Sequence, residues 1–180
     1  TGGFDAGAGF QGYLQMLSTS AIPPNLVWRD TLLVHTRPEW RNRAADEIDP
    51  YADEGLLLPI LEVMATRAGV ELDFVDKGVL VGGMVACRAR PEFFVSNASL
   101  VIEADAPDMV IRYVNESQLG IEQGATATTS SGQFIAINVP PGATTVNMDD
   151  AFSGRRLASQ PEVPIQAGKL TVIQFYPQAR

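Results

Sequence analysis

The chain carries one histidine and one cysteine, His35 and Cys87, and that scarcity narrows the chemistry open to it. A Ser-His-Asp relay would need His35 as its base, yet no G-x-S-x-G turn occurs to expose a nucleophilic serine. A thiol–imidazole pair would have to join Cys87 to His35, and both sit in stretches that read as strands. Cys87 reads as a small apolar strand residue, and a lone cysteine closes no internal disulfide. Zinc draws its ligands from histidine, cysteine and carboxylate, and the first two are too few here. Calcium needs only oxygens. Its candidate ligands are the acidic run Asp46, Glu47, Asp49, Asp53 and Glu54 and the pair Asp149-Asp150, although neither follows EF-hand spacing. Gly2, Gly3, Gly7 and Gly9 precede no helix, so they form no phosphate cradle. The expectation is a chain with no catalytic residue, no metal site and no cofactor.

Aromatic side chains are the better candidates for recognition. Tyr13, Trp28 and Trp40 fall in the N-terminal part, and Phe93-Phe94 fall between two expected strands. Exposed aromatics stack on sugar rings or anchor a protein interface. The competing use of Trp28 and Trp40 is to pack the N-terminal part against the rest. The sequons Asn97-Ala98-Ser99 and Asn115-Glu116-Ser117 permit glycosylation in a suitable secretory host.

Charge limits the partners. The 180 residues carry a formal net charge of −8, and nucleic acid or an anionic membrane surface would call for a basic footprint. With 46% apolar residues the chain can build a core. No apolar run approaches the roughly 20 residues of a membrane-spanning helix. The chain opens Thr-Gly-Gly-Phe-Asp-Ala-Gly-Ala-Gly with no initiator Met, which fits a mature chain after signal removal, such as a lipoprotein. The expected location is periplasmic, outer-surface or secreted.

Periodicity supplies the elements. Residues 10–17 and 26–35 read as strands, the first with Phe10, Gly12, Leu14 and Met16 on one face and Tyr13 opposite. Pro38 suits the first turn of a short helix to about Ala45. The stronger helix is L-L-L-P-I-L-E-V-M-A-T-R-A-G, with Pro59 near its first turn and Gly69 at its stop. Leu61, Met64 and Ala65, with Ile60 and Ala68, give its apolar stripe. After Lys77 the texture turns to short strands, expected near 79–88, 98–104, 109–115, 124–129, 133–139, 143–148, 154–159 and 170–176. The stretch 126–142 reads as two extended arms joined at Ser130-Ser131-Gly132, the second ending at Pro140-Pro141-Gly142. Many short strands separated by turns point to an antiparallel sandwich or barrel.

Three groups of residues carry a family resemblance: Val81-Gly82-Gly83-Met84-Val85, Asn97-Ala98-Ser99-Leu100-Val101-Ile102, and Thr128 through Gly142. With the closing V-P-I-Q-A-G-K-L-T-V-I-Q-F, they resemble the carboxypeptidase regulatory-like domain over roughly residues 78–177. The segment 88–96 departs from the family pattern. The resemblance implies a mainly β fold, an immunoglobulin/transthyretin-like sandwich over 78–180. Residues 1–77 do not match the family and read as a mixed α/β lead-in, packed on the sandwich because no flexible linker separates the two. The family has no catalytic residues, and its members serve as spacers, stabilisers or docking modules of secreted and envelope proteins. The expected function is a non-enzymatic structural or accessory protein of the cell envelope or exterior, docking onto other protein subunits. The alternative is a carbohydrate-binding module with a glycan ligand. Tyr13, Trp28, Trp40, Phe93 and Phe94 are the expected contacts in either case.

Overall fold

Alternating apolar side chains do form strands, and the strands divide into two facing sheets. The computed structural model describes residues 13–16, 31–34, 58–87, 90–104, 106–115 and 120–176. In chain order these hold β1 (Tyr13–Met16), β2 (Thr31–Val34), α1 (Leu58–Ala68), β3 (Gly78–Cys87), β4 (Arg90–Phe94), β5 (Ala98–Ile102), β6 (Val110–Tyr113), β7 (Gln133–Val139), β8 (Gly142–Asp150), β9 (Arg156–Ile165) and β10 (Leu170–Phe175). The larger sheet runs β1-β2-β10-β3-β7-β6, with β4 paired to the end of β3, and the smaller runs β5-β8-β9. The protein is mainly β and sandwich-like, with one helix among the described residues. The smaller sheet is antiparallel, whereas the larger is mixed, because β10 lies parallel to both β2 and β3.

The alternation assigns each side chain to a layer. On β10, Ile173 and Phe175 enter the core between the sheets, while Leu170 and Val172 face the opposite side. Leu80 and Met84 of β3, and Phe134 and Ala136 of β7, join the inter-sheet core with Leu100, Ile102, Val146, Met148 and Val163 of the smaller sheet. Val79, Ile135, Ile137 and Leu170 form the other face of the larger sheet, and α1 covers it with Leu61, Met64, Ala65 and Ala68. That spacing of three and four residues lays one helical stripe on the sheet. Ile60, expected in the stripe, is 44% exposed, because it sits one residue, about a quarter-turn, from Leu61. The helix stops as its sequence predicts. Gly69 adopts φ 76°, the Gly69 N–H donates to the Thr66 carbonyl, and the Val70 N–H donates to the Ala65 carbonyl, the paired bonds of a Schellman turn. Two remaining helical carbonyls are capped from the sheet side, Ala68 by Arg112 and Arg67 by Gln123.

Three expectations fail locally. No strand forms over 124–129. There the hydroxyls compete with the ladder: Thr129 and Ser131 both donate to the Val114 carbonyl, and the Thr128 hydroxyl donates to the Val95 carbonyl. The segment before Gly132 is thus a hydroxyl-bonded loop and not the first arm of a hairpin. β4 forms where no strand was expected, within the segment that departs from the family pattern. β9 runs on through Pro161 and Pro164, which an edge strand tolerates because its outer N–H groups need no ladder partner. A bulge opposite Thr144–Val146, with Glu162 at φ 54°, further breaks that edge. The helix expected from Pro38 and the acidic loop 46–54 lie outside the described residues.

The edge of β5 is closed by side chains from the other layer. The Ala98 N–H donates to the Thr128 hydroxyl, and the Leu100 N–H donates to the phenolic oxygen of Tyr113 across the core at 2.9 Å. Burial of Tyr113 pushes its phenol above the usual 10.0, and the bond from Leu100 offsets part of that rise. A raised folded value favours the neutral phenol. The contribution of Tyr113 to stability is therefore complete below pH 10 and is lost as pH climbs through the folded value. Tyr113→Phe leaves the buried Leu100 N–H without an acceptor and is expected to cost about 1–3 kcal/mol at neutral pH. Urea midpoints followed into alkali should show a shallower decline in the variant than in the wild type.

Candidate functional site

The two ends of the sandwich are built for different purposes. At one end, where β3 begins and β7 finishes, polar side chains tie connectors together. Asn138, 3% exposed and at φ 60°, accepts from the Asp73 N–H and donates to the Glu71 and Asp108 carbonyls. Lys77 pairs with Asp108 beside it, and that ammonium holds the Asp108 carboxyl below its usual 3.8. These bonds join the α1–β3 connector to the β5–β6 loop. Every polar group in this set serves the fold.

At the other end, three loops meet. The β4–β5 turn passes through Asn97 at φ 59°, whose N–H donates to the Thr128 carbonyl and whose carbonyl accepts from the Ala151 N–H. Ala151 opens the β8–β9 hairpin loop, so the hairpin is tied to the turn that follows Phe94. Gly132 brings the third loop in, at φ 64°, lying so close to Phe94 that an added Cβ would fall 2.5 Å from the Phe94 Cβ.

The hairpin loop is held by one carboxylate. Asp150 Oδ1 accepts from the Phe152 N–H at 3.0 Å, the Ser153 N–H at 2.8 Å and the Ser153 hydroxyl at 2.9 Å. The bonds from Ser153 are the main reason the Asp150 carboxyl sits below its usual 3.8. Gly154 at φ 68° closes the loop, its N–H donating to the Asp150 carbonyl, and the Asp150 N–H donates to the Arg155 carbonyl. The product is a rigid tip that displays Phe152 at 85% exposure, with Arg155 also exposed. Asp149, on the outer face of β8, is paired with Arg156 across the hairpin.

The expected contact residues divide accordingly. Tyr13 lies in β1 at the edge of the larger sheet, opposite Val34 of β2. Phe93 and Phe94 lie in β4, at the end where the loops meet, and Phe94 is half-buried against Gly132. Trp28 and Trp40 lie outside the described residues, as does His35. Cys87 is the last residue of β3. Among the described residues no group of three or more His, Cys, Asp or Glu side chains is placed to hold a metal ion. Asp149 and Asp150 point to different tasks, an ion pair and a turn. Among the described residues no helix is long and apolar enough to cross a membrane. Phe152 is the residue the sequence reading missed. Its signal was a large apolar side chain one residue before the Ser153-Gly154 turn, where packing cannot use it.

The chain was compared with known protein families and with curated proteins, and neither comparison gave a match.

Proposed function

We propose that this protein is a non-enzymatic accessory or structural component of the cell envelope or exterior, built on a carboxypeptidase regulatory-like sandwich and docking onto a larger protein assembly. The observation that carries this reading is the pre-formed β8–β9 tip. Three hydrogen bonds to one carboxylate, a left-handed glycine and a cross-tie to Asn97 hold a loop that leaves an aromatic ring 85% exposed. Such a ring does nothing for the fold. It suits binding, because a loop ordered beforehand loses little conformational entropy when it docks. The buried polar side chains Thr128, Ser131, Asn138, Asn147, Thr144 and Thr171 are all engaged in hydrogen bonds within the fold, which supports a framework role. The resemblance across residues 78–177 supports the module type.

Cross-linking in the native cells followed by purification tests this. The chain should be recovered with other envelope or exterior proteins, and Phe152→Ala should reduce that recovery while leaving the thermal melt unchanged. Recovery of the chain from the cytosol, or as a clean monomer with no cross-linked protein, would count decisively against the proposal.

A further inference from the structure

The surface carries a second exposed apolar feature, and it matches the first. On the outward side of α1, Ile60 is 44% exposed and Val63 is 50% exposed, one helical turn apart, with exposed Glu62 between them in sequence. The backbone carbonyl of Glu62 takes the Thr66 hydroxyl, but its carboxylate has no partner among the described residues. Arg67, the other charge on this face, has a partner of its own and its guanidinium lies close to Gly120. At the β8–β9 tip the situation is the mirror of this. Phe152 is exposed beside Arg155, whose guanidinium has no hydrogen-bond partner among the described residues and lies near enough to Asp150 to favour its ionised form.

We infer that the tip of one copy docks on α1 of a second copy, with Phe152 resting on Ile60 and Val63 and Arg155 meeting Glu62. This rests on reading the tip as a docking element and names its partner. The pairing cannot close within one chain. α1 covers the face of the larger sheet that points away from the smaller sheet, and the tip belongs to the smaller sheet. Residues at i and i+3 on a helix leave a shallow seat about 5–6 Å wide, the width of a phenyl ring. Two charges of opposite sign, neither hydrogen-bonded through its charged group among the described residues, beside exposed apolar groups give both attraction and register. The contact joins different patches on opposite sides of the sandwich, so it is head-to-tail and builds rings or open chains according to the rotation between copies.

Sedimentation velocity on the purified full chain at rising concentration tests the contact. The expected result is concentration-dependent association that weakens with added salt. Phe152→Ser and Val63→Ser should each weaken it by about tenfold or more, as loss of a central apolar anchor does. Arg155→Glu should weaken it and Glu62→Arg should restore it when the two are combined. Both sites are exposed, so thermal melts should match the wild type and show that the variants fold. A monomer at every concentration overturns the inference, and so does association that ignores Phe152→Ser or the charge exchange. A purified monomer whose native cross-links to other proteins still depend on Phe152 would remove this contact and leave the proposed function standing.

Discussion

Gly82→Ala should be among the most damaging single-methyl additions this chain can receive. Gly82 lies in β3, with Ile173 of β10 on one side and Phe134 of β7 on the other. A Cβ at this position would fall 2.0 Å from the Ile173 carbonyl oxygen, 2.9 Å from Ile173 Cγ2 and 2.9 Å from Phe134 Cζ. The first of these is backbone, so no rotamer change relieves it; the strands themselves must separate. They sit at the centre of the larger sheet, and the rings of Phe134 and Phe175 lie over them with centroids 6.4 Å apart. Overpacking typically costs about 1–3 kcal/mol, and an obstruction by backbone belongs at or above the upper figure. A loss of about 3 kcal/mol lowers the melting temperature of a domain this size by roughly 6–12 °C. Gly83→Ala is the matched control, since its Cβ would come no nearer than 3.2 Å to the Gly132 carbonyl oxygen, with Gln133 Cγ at an ordinary 3.6 Å. Calorimetry on the two variants should separate them clearly; equal melting temperatures would refute the close approach as the reason for glycine at 82.

Gly82 also shows where reading a sequence stops. Its place in a strand was legible from alternation in β3, and a glycine pair inside a strand hints at close packing. Which strand comes close was not legible, because β10 enters the sheet from the far end of the chain. Its parallel pairing with β2 and β3 is a non-local fact that no window of residues contains. Local signals were read well where local physics decides: the stripe Leu61, Met64, Ala65 and Ala68, the stop at Gly69, and the end of β7 before Pro140-Pro141-Gly142. They misled at Thr126–Thr129, where β-branched residues looked extended but used their hydroxyls to bind Val114 and Val95. The end of the sandwich proposed for docking was half legible. Phe94 was expected as a contact and lies at the end where the loops meet. Phe152 was overlooked, because the fact that matters is the absence of anything packed over it, and exposure is a property of the whole fold.

Asn138→Ala should rival Gly82→Ala in cost, for an unrelated reason. β7 reaches Asn138 with Phe134 and Ala136 facing the inter-sheet core and Ile137 facing α1. Strict alternation would send Val139 to the α1 side. Instead the register with β3 slips between Gly78 and Leu80, placing two residues of β7 opposite Val79, and Val139 returns to the inter-sheet core. Asn138 occupies the slip at φ 60°, a conformation asparagine tolerates and alanine resists by roughly 1–2 kcal/mol. Its side chain then holds the Asp73 N–H and the Glu71 carbonyl, both at 2.9 Å. Losing those bonds at a buried position adds about 1–3 kcal/mol. Asn138→Ala combines both losses, whereas Asn138→Gly keeps the backbone conformation and loses only the bonds. Denaturant unfolding should therefore rank the wild type above Asn138→Gly, and Asn138→Gly above Asn138→Ala by about 1 kcal/mol. If glycine and alanine proved equal, the left-handed backbone would contribute nothing, and the slip would be imposed by the strands on either side of it. The chosen order follows from the bulge itself: it re-aims Val139 into the core, and the same residue that permits it fastens the α1–β3 connector to the sheet.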